Sequence, residues 1–188
     1  MKSWSRGIRG AVGSRWRIAL WGTATLMLSL PLVAMQFTEE VAWTLTDFVT
    51  FGAMLAGACG TYELAVRMSG NGAYRAAVGV AVAAAFLLVW LNLAVGIIGS
   101  ENNPANLMFG VVLAVAILGA PIAGFQAQGM ARALMTTALI QAFVGVIALA
   151  LGSVEGFFLT AFFTALWLTS ARLFQKAARE QTPAGAVS

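Results

Sequence analysis

The chain has 188 residues, of which 60% are hydrophobic and only 10% carry charge. Soluble domains have about 25% charged residues, so this composition excludes an ordinary soluble protein and indicates an integral membrane protein. The net charge of +4 does not indicate a nucleic-acid partner, because the basic residues border apolar stretches, where they would face anionic lipid. The one cysteine, Cys59, cannot form a disulfide within these residues.

Six apolar stretches predict an all-α fold with six transmembrane helices. The predicted spans are 16–36, 42–66, 74–99, 106–126, 133–152 and 156–170. Most are close to the roughly 20 residues that a bilayer core requires, and continuous apolar runs of this length indicate helices rather than barrel strands. We therefore expect one membrane domain, residues 16–174, between a basic N-terminal segment, residues 1–15, and a tail, residues 175–188.

The first stretch follows five basic residues, as the apolar run of a secretory signal does. The uncharged run over residues 18–38 has 21 residues, however, whereas the apolar region of a signal has about 7–15. We therefore expect a retained first span. The basic segment before it has two open interpretations, a short interfacial helix on the inner leaflet or a disordered tail.

The basic residues all fall in segments that share one side of the membrane if six stretches cross it. They are Lys2, Arg6, Arg9, Arg15 and Arg17 before the first span, Arg67 and Arg75 after the second, Arg132 after the fourth, and Arg172, Lys176 and Arg179 after the sixth. The opposite turns contain Glu39, Glu40, Glu101 and Glu155 and no basic residue. This positive-inside pattern predicts that both termini are cytoplasmic and that the basic face contacts anionic lipid.

Two acids lie within the second span, and their depth limits what they can do. Asp47 and Glu63 are 16 residues apart, which separates them by about 24 Å along a helix, so neither lies deep in the core. Glu63 precedes Arg67 by four residues, and we favour a structural ion pair between them. For Asp47 we favour an interfacial cap beside Trp43. The alternative is a polar ribbon with Thr50 that lines an outward vestibule.

The deepest polar side chains are the amides of Asn92 and Gln141, each about 13 Å from the nearest flanking charge along its helix. Interhelical hydrogen bonds between such amides contribute about 0.6 kcal/mol each, so structural adhesion between helices is the simpler interpretation. The alternative is that Asn92, with Trp90 close by, binds a substrate or cofactor head group. Trp90 is unusual because it lies below the interface where tryptophans concentrate.

Small residues and prolines predict how the helices pack. Small residues recur every four positions in two rows, Gly52, Ala56 and Gly60 on the second span and Ala116, Ala120 and Gly124 on the fourth. Such rows permit close approach of two backbones, so we expect the second and fourth spans to form the interior. Pro31 and Pro121 are expected to kink the first and fourth spans.

The turn between the third and fourth spans has a sequence typical of a capped helix start. Pro104 suits the first position of a helix, Asn103 can cap that helix, and Glu101 lies near its positive end. We therefore expect a short, ordered outer turn.

Residues 90–108 carry a resemblance to known proteins. This stretch contains Asn92, Gly96 and Gly99 and continues through residues 101–108. It resembles uncharacterised small inner-membrane proteins of Gram-negative bacteria. The similarity also includes Glu39, Glu40, Asp47, Glu63 and Arg67. The resemblance implies a multi-pass protein of the bacterial inner (plasma) membrane and implies no activity.

The residue types present restrict the chemistry. Without histidine and with one cysteine, the chain cannot supply the usual haem ligand, a Cys/His zinc site or a Ser-His dyad. We therefore expect no enzyme activity, no metal site and no cofactor.

Two functions stay open, each compatible with a homo-oligomer. The first is a small transport- or channel-like protein with a path past Asp47, Thr50 and Asn92, and the alternative is a non-catalytic accessory or assembly subunit of a larger membrane complex. We favour the first, because six spans can enclose a polar path unaided.

Overall fold

The computed structural model describes the backbone of residues 4–181 and the side chains of residues 16–181. The six α-helices are α1 (Trp4–Ala34), α2 (Leu45–Met68), α3 (Gly72–Ala94), α4 (Met108–Ile122), α5 (Ala127–Ala150) and α6 (Val154–Gln181), and a 3-10 helix at Pro104–Leu107 precedes α4. The described residues contain no β-strand. Six helical segments are long and apolar enough to cross a membrane. The predicted all-α multi-pass fold is therefore confirmed.

Two helices are longer than the sequence predicted. α1 begins at Trp4, so the described part of the basic N-terminal segment continues the helix of the first span. α6 extends to Gln181, so the predicted tail begins as helix, and its last part, residues 182–188, lies outside the described residues. The predicted sixth span is shorter than α6 because Arg172 and Lys176 end the apolar stretch of the sequence. Charge does not end a helix, since Arg and Lys have high helix propensity.

The chain divides into two compact units, Met1–Leu64 and Ala65–Ser188. In the first unit, α1 and the larger part of α2 pack antiparallel. The rings of Trp16 and Tyr62 meet edge to face with centroids 6.2 Å apart. Further along, a Cβ on Gly52 would lie 3.7 Å from a methyl of Leu28, which is ordinary contact. The first unit is thus a helical hairpin.

In the second unit, α6 packs between α3 and α5, and α5 also packs against α4. Burial follows this order, since 39% of the apolar window of α5 is buried but only 17% of that of α4. The prediction that the fourth span lies in the interior is therefore wrong. Close backbone approach on α4 occurs at Gly119, where a Cβ would lie 2.7 Å from the Cβ of Ala133, whereas Gly124 lies beyond the end of α4.

The prolines lie near helix ends. Pro31 is in the last turn of α1, which ends at Ala34, and Pro121 is next to the last residue of α4, Ile122. Neither proline divides its helix into two long segments. A bend at either proline therefore redirects only the last turn of its helix, and the expected kinks stay a prediction.

Glycines in the left-handed conformation end α3 and α5. Gly96 has φ 72° and Gly152 has φ 82°. The Gly96 N–H donates to the carbonyl of Leu91, 3.1 Å away, and the Ser153 N–H donates to that of Ala148, 2.9 Å away. This bonding satisfies the last carbonyls of a helix and stops it. α3 therefore ends at Ala94 rather than at residue 99.

Candidate functional site

The second unit has a basic end, formed by the α2–α3 connection, the α4–α5 connection and the C-terminal part of α6. Asn71 Nδ2 donates to Glu180 Oε2 at 2.8 Å, and the Tyr74 hydroxyl donates to the carbonyl of Phe125 at 2.9 Å. The basic residues at or near this end are Arg67, Arg75, Arg132, Arg172, Lys176 and Arg179. Their grouping agrees with the positive-inside pattern, and the cytoplasmic orientation stays a prediction.

Arg75 at the basic end has a structural role. Its Nε donates to the carbonyl of Ser69 at 2.7 Å and its Nη2 to that of Val66 at 3.1 Å. A guanidinium at this place satisfies free carbonyls at the end of α2 and interacts favourably with the negative end of the helix dipole.

A cavity of about 450 Å³ opens at the basic end. Its lining includes Ser69, Tyr74, Phe125, Gln128, Ala178 and Gln181. Phe125 adopts φ 57°, an unfavourable conformation for a residue with a side chain, and its carbonyl accepts the Tyr74 hydrogen bond. The described lining residues contain no buried side-chain polar atom without a partner, so nothing here points to a particular ligand.

The loop of residues 95–107 lies at the opposite end and is organised by Asn106. The buried Asn106 accepts hydrogen bonds from the N–H groups of Ile97 and Ile98 at 3.1 and 2.9 Å, and donates to the Ser100 carbonyl at 2.7 Å. The expected cap is also present, since Asn103 Oδ1 accepts from the Ala105 N–H at 3.0 Å. It caps the 3-10 helix, in which Pro104 is the first residue. Glu101 is exposed in this loop.

Asp47 lies in the first turn of α2 and caps it. Its Oδ2 accepts from the backbone N–H of Thr44 at 2.7 Å and from the Thr44 hydroxyl at 2.8 Å. The Asp47 N–H in turn lies 3.4 Å from the Thr44 hydroxyl oxygen, which completes a reciprocal capping box. Trp43 packs edge to face on Phe48, with centroids 5.2 Å apart. Asp47 and Thr50 are both exposed, and the capping interpretation accounts for Asp47 fully.

Glu63 is a buried carboxylate with partners on α1. Its Oε1 lies 2.8 Å from Arg17 Nη2, and its Oε2 accepts from Trp21 Nε1 at 3.1 Å. Both oxygens are therefore paired within the first unit, which gives Glu63 a structural role. The sequence missed Arg17 and Trp21 as partners because pairing across two helices depends on their register. The pair with Arg67 stays a prediction.

Asn92 lies in the last turn of α3, two residues before its end. Its Nδ2 lies 3.4 Å from the carbonyl of Asn106, and its buried Oδ1 has no hydrogen-bond partner among the described residues. Asn92 was expected among the deepest polar side chains, but it lies near the end of its span because Gly96 ends the helix early. Trp90 is half-buried on the same helix.

Gln141 has the most unusual environment in the second unit. It lies about 4 Å from the middle of α5 and is completely buried. Neither Oε1 nor Nε2 has a hydrogen-bond partner in the described part of the chain. Native proteins pair the large majority of buried polar atoms, so an amide with both ends unpaired indicates a missing partner.

Two further buried side chains share this property, Thr160 and Trp167 on α6. The Thr160 Oγ1 and the Trp167 Nε1 lack partners among residues 16–181, and the two side chains are 0% and 1% exposed. The sequence alone distinguishes neither residue. Threonine and tryptophan are ordinary in membrane helices, and only the packing of α5 against α6 distinguishes these two.

The register of α5 against α6 places these residues near Gln141. A Cβ on Gly145 would lie 3.0 Å from Thr160 Cγ2, so these two positions face each other. α5 and α6 are antiparallel, since a short turn joins them, and Thr164 is therefore level with Gln141. Thr160 and Trp167 lie on either side of that level, about 6 and 4.5 Å along the helix axis. We call Gln141, Thr160 and Trp167 the mid-span cluster.

Comparison with protein-family models, with curated proteins and with solved structures gives no match to this chain.

Proposed function

We propose that this protein is a small transport-like membrane protein whose solute path passes Gln141 in the second unit. The observation that carries the proposal is the pair of unpaired amide atoms on a fully buried side chain in the middle of a membrane-crossing helix. Leaving a buried donor or acceptor unpaired costs about 1–3 kcal/mol. A passing solute or water can supply the missing hydrogen bonds.

The structure favours a path through the second unit over one past Asp47 and Thr50. The Asp47 carboxylate accepts the capping hydrogen bonds from Thr44, whereas the amide of Gln141 has no hydrogen-bond partner among the described residues. Asn92, with its own unpaired Oδ1 near the opposite end of the unit, can contribute an entry position. Polar groups that face a bundle interior in a membrane commonly mark solute or ion pathways.

We also propose the setting of this activity. The basic end faces the cytoplasm and contacts anionic lipid, because lysine and arginine concentrate on the cytoplasmic side of membrane proteins. The resemblance of residues 90–108 supports the bacterial inner membrane as the location. We propose no catalytic role, since the Thr44 hydroxyl, which lies beside the Asp47 carboxylate, belongs to a helix cap.

Flux into proteoliposomes tests the proposal. Vesicles containing the purified full chain are exposed to gradients of urea, acetamide, glycerol, sodium and potassium, and solute entry is followed by light scattering or ion electrodes. We expect protein-dependent entry of at least one solute and a strong reduction by Gln141→Leu. Gln175→Leu, which changes an exposed glutamine near the basic end, is the matched control and should leave the flux unchanged.

The accessory-subunit alternative predicts a different result. If the full chain carries no flux and purifies from native membranes in mild detergent with a stoichiometric companion polypeptide, the transport proposal fails and the alternative replaces it. A homogeneous particle without companions, together with flux, supports transport.

A further inference from the structure

We infer that the mid-span cluster, Gln141, Thr160 and Trp167, is one binding site for a small neutral molecule that both donates and accepts hydrogen bonds. The inference rests on the proposed function, because it names the class of solute that this site would take. It is carried by three side chains that are fully buried and have unpaired polar atoms, at levels that differ by about 10.5 Å at most along the helix axis.

All three side chains of the mid-span cluster have buried polar atoms without a hydrogen-bond partner among the described residues. Gln141 is 0% exposed with Nε2 and Oε1 unpaired, Thr160 is 0% exposed with Oγ1 unpaired, and Trp167 is 1% exposed with Nε1 unpaired, all judged against the described residues. By contrast, Thr164 donates to the Thr160 carbonyl at 2.8 Å, and Thr137 donates to the Ala133 carbonyl at 3.0 Å. Neighbouring hydroxyls therefore satisfy themselves within their own helix.

The positions of the three cluster side chains on α5 and α6 allow them to contact one molecule. Thr160 faces α5 at Gly145, and Trp167 follows seven residues later, almost two full turns, so both point from nearly the same face of α6. Gln141 lies one turn before Gly145 on α5, between the levels of Thr160 and Trp167. The levels of Thr160 and Trp167 are about 10.5 Å apart. A molecule with two polar atoms a few ångströms apart covers this distance with a hydrogen bond of about 2.9 Å at each end, and Gln141 reaches it from between the two levels.

The charged side chains of α3 to α6 are about 7.5 Å or more from the cluster along the helix axes, which favours a neutral molecule. On α5 the nearest ionisable side chain is Arg132, about 13 Å from Gln141 along the helix. On α6, Glu155 and Arg172 each lie about 7.5 Å along the axis from Thr160 and Trp167 respectively. α4 has no charged residue, and the one charged residue of α3 is Arg75 at its start. An ion here would lose its hydration without a counter-charge, at high cost.

The donors and acceptors then define the ligand. The Trp167 indole can only donate, Gln141 offers two donor hydrogens and one acceptor oxygen, and the Thr160 hydroxyl does both. The ligand therefore needs an acceptor oxygen for Trp167 and Gln141 and a donor for Gln141 Oε1. Carboxamides, ureas and small polyols satisfy this requirement. The close approach of the helices at Gly145 restricts the ligand to a few heavy atoms.

The test is equilibrium binding to the full chain in detergent. Labelled acetamide, urea and glycerol are measured by equilibrium dialysis against wild type, Gln141→Met, Thr160→Val and Trp167→Phe. We expect at least one probe to bind wild type and to bind Gln141→Met and Trp167→Phe at least about tenfold more weakly, which corresponds to one lost hydrogen bond of about 1.4 kcal/mol. The exposed Thr136→Val, on the same helix as Gln141, is the matched control and should bind normally.

The outcomes separate this inference from the proposed function. No binding of any of the three probes to wild type, or binding that is unchanged in Gln141→Met and Trp167→Phe, overturns the inference. Equal binding of acetate or methylammonium overturns the neutral class. Flux that persists with wild-type strength in Trp167→Phe but is lost in Gln141→Met removes the shared site and leaves the path past Gln141 standing. Flux that persists with wild-type strength in both variants overturns both proposals. Binding with the expected losses but without flux leaves the site standing and removes transport.

Discussion

Polar side chains with carboxylate or amide groups have different roles in this protein. Whether their polar atoms have hydrogen-bond partners distinguishes these roles. Asp47, Glu63 and Asn106 each have hydrogen-bond or ion-pair partners that account for them as caps, pairs and loop supports. Gln141 is as buried as any of them and has none in the described part of the chain. A side chain that holds two helices together by hydrogen bonding needs a partner on the other helix. The interpretation of Gln141 as an interhelical hydrogen-bonding residue is therefore not supported.

Thermal stability distinguishes the two interpretations of Gln141. Gln141→Leu removes an unpaired buried amide and fills similar space with apolar atoms. We expect the free energy of unfolding in detergent to stay equal or to rise by about 1 kcal/mol, because the desolvation cost of the amide disappears. If Gln141 instead bonded across helices, Gln141→Leu would lower the melting temperature. Thermal unfolding followed by circular dichroism, with Gln175→Leu as control, makes the measurement.

At the scale of elements, a single side chain within a connection holds that connection together. The loop of residues 95–107 has no regular structure before its 3-10 helix, and the one side chain of Asn106 closes it by bonding residues 97, 98 and 100. Gly96 has φ 72°, and a Cβ there would lie 2.4 Å from the carbonyl carbon of Ser100. The ordered turn thus depends on an amide and on a glycine.

Replacing Asn106 should loosen this loop. Asn106→Ala removes bonds to two buried N–H groups and a carbonyl, and we expect a loss of about 2–3 kcal/mol in unfolding free energy. Asn102→Ala changes an exposed asparagine four residues earlier and should have almost no effect. Thermal unfolding of the two variants side by side tests this, and equal melting temperatures would mean that the loop does not depend on Asn106.

The helical hairpin of the first unit makes a separate prediction about Glu63. Glu63→Gln leaves Arg17 without its carboxylate partner, so we expect destabilisation of about 1–3 kcal/mol, below the value for a fully buried pair because half of the Arg17 side chain is exposed. A double-mutant cycle of Glu63→Gln with Arg17→Gln should show coupling. A second cycle with Arg67→Gln measures the pair predicted from the four-residue spacing. Zero coupling in the first cycle would contradict the observed pairing with Arg17.

At the scale of the whole molecule, the sequence was sufficient for the class and the number of spans. Long apolar runs bounded by charge report directly on membrane crossing, since each span must satisfy its own backbone in lipid. Asn103 and Pro104 also indicated a helix start correctly, because capping is local.

Packing was not predictable in the same way. Which helices form the interior depends on contacts between distant segments, so the small-residue row on the fourth span was misleading and the buried face of α5 and α6 was missed. Gln141 was found because its depth follows from counting residues. Thr160 and Trp167 were missed because their unpaired state depends on the register of α5 against α6.

Water access to position 141 tests the central claim most directly. Cys59 is the single cysteine, so Cys59→Ala gives a background in which Gln141→Cys, Leu139→Cys or Gln128→Cys can be labelled alone. Each is treated in membranes with a small water-soluble thiol reagent. Gln128 is exposed at the basic end of α5, and Leu139 is 67% exposed on an apolar face. A solute path predicts labelling at 141 and 128 but not at 139. Labelling at 128 alone, with 141 as inert as 139, would contradict a path past Gln141.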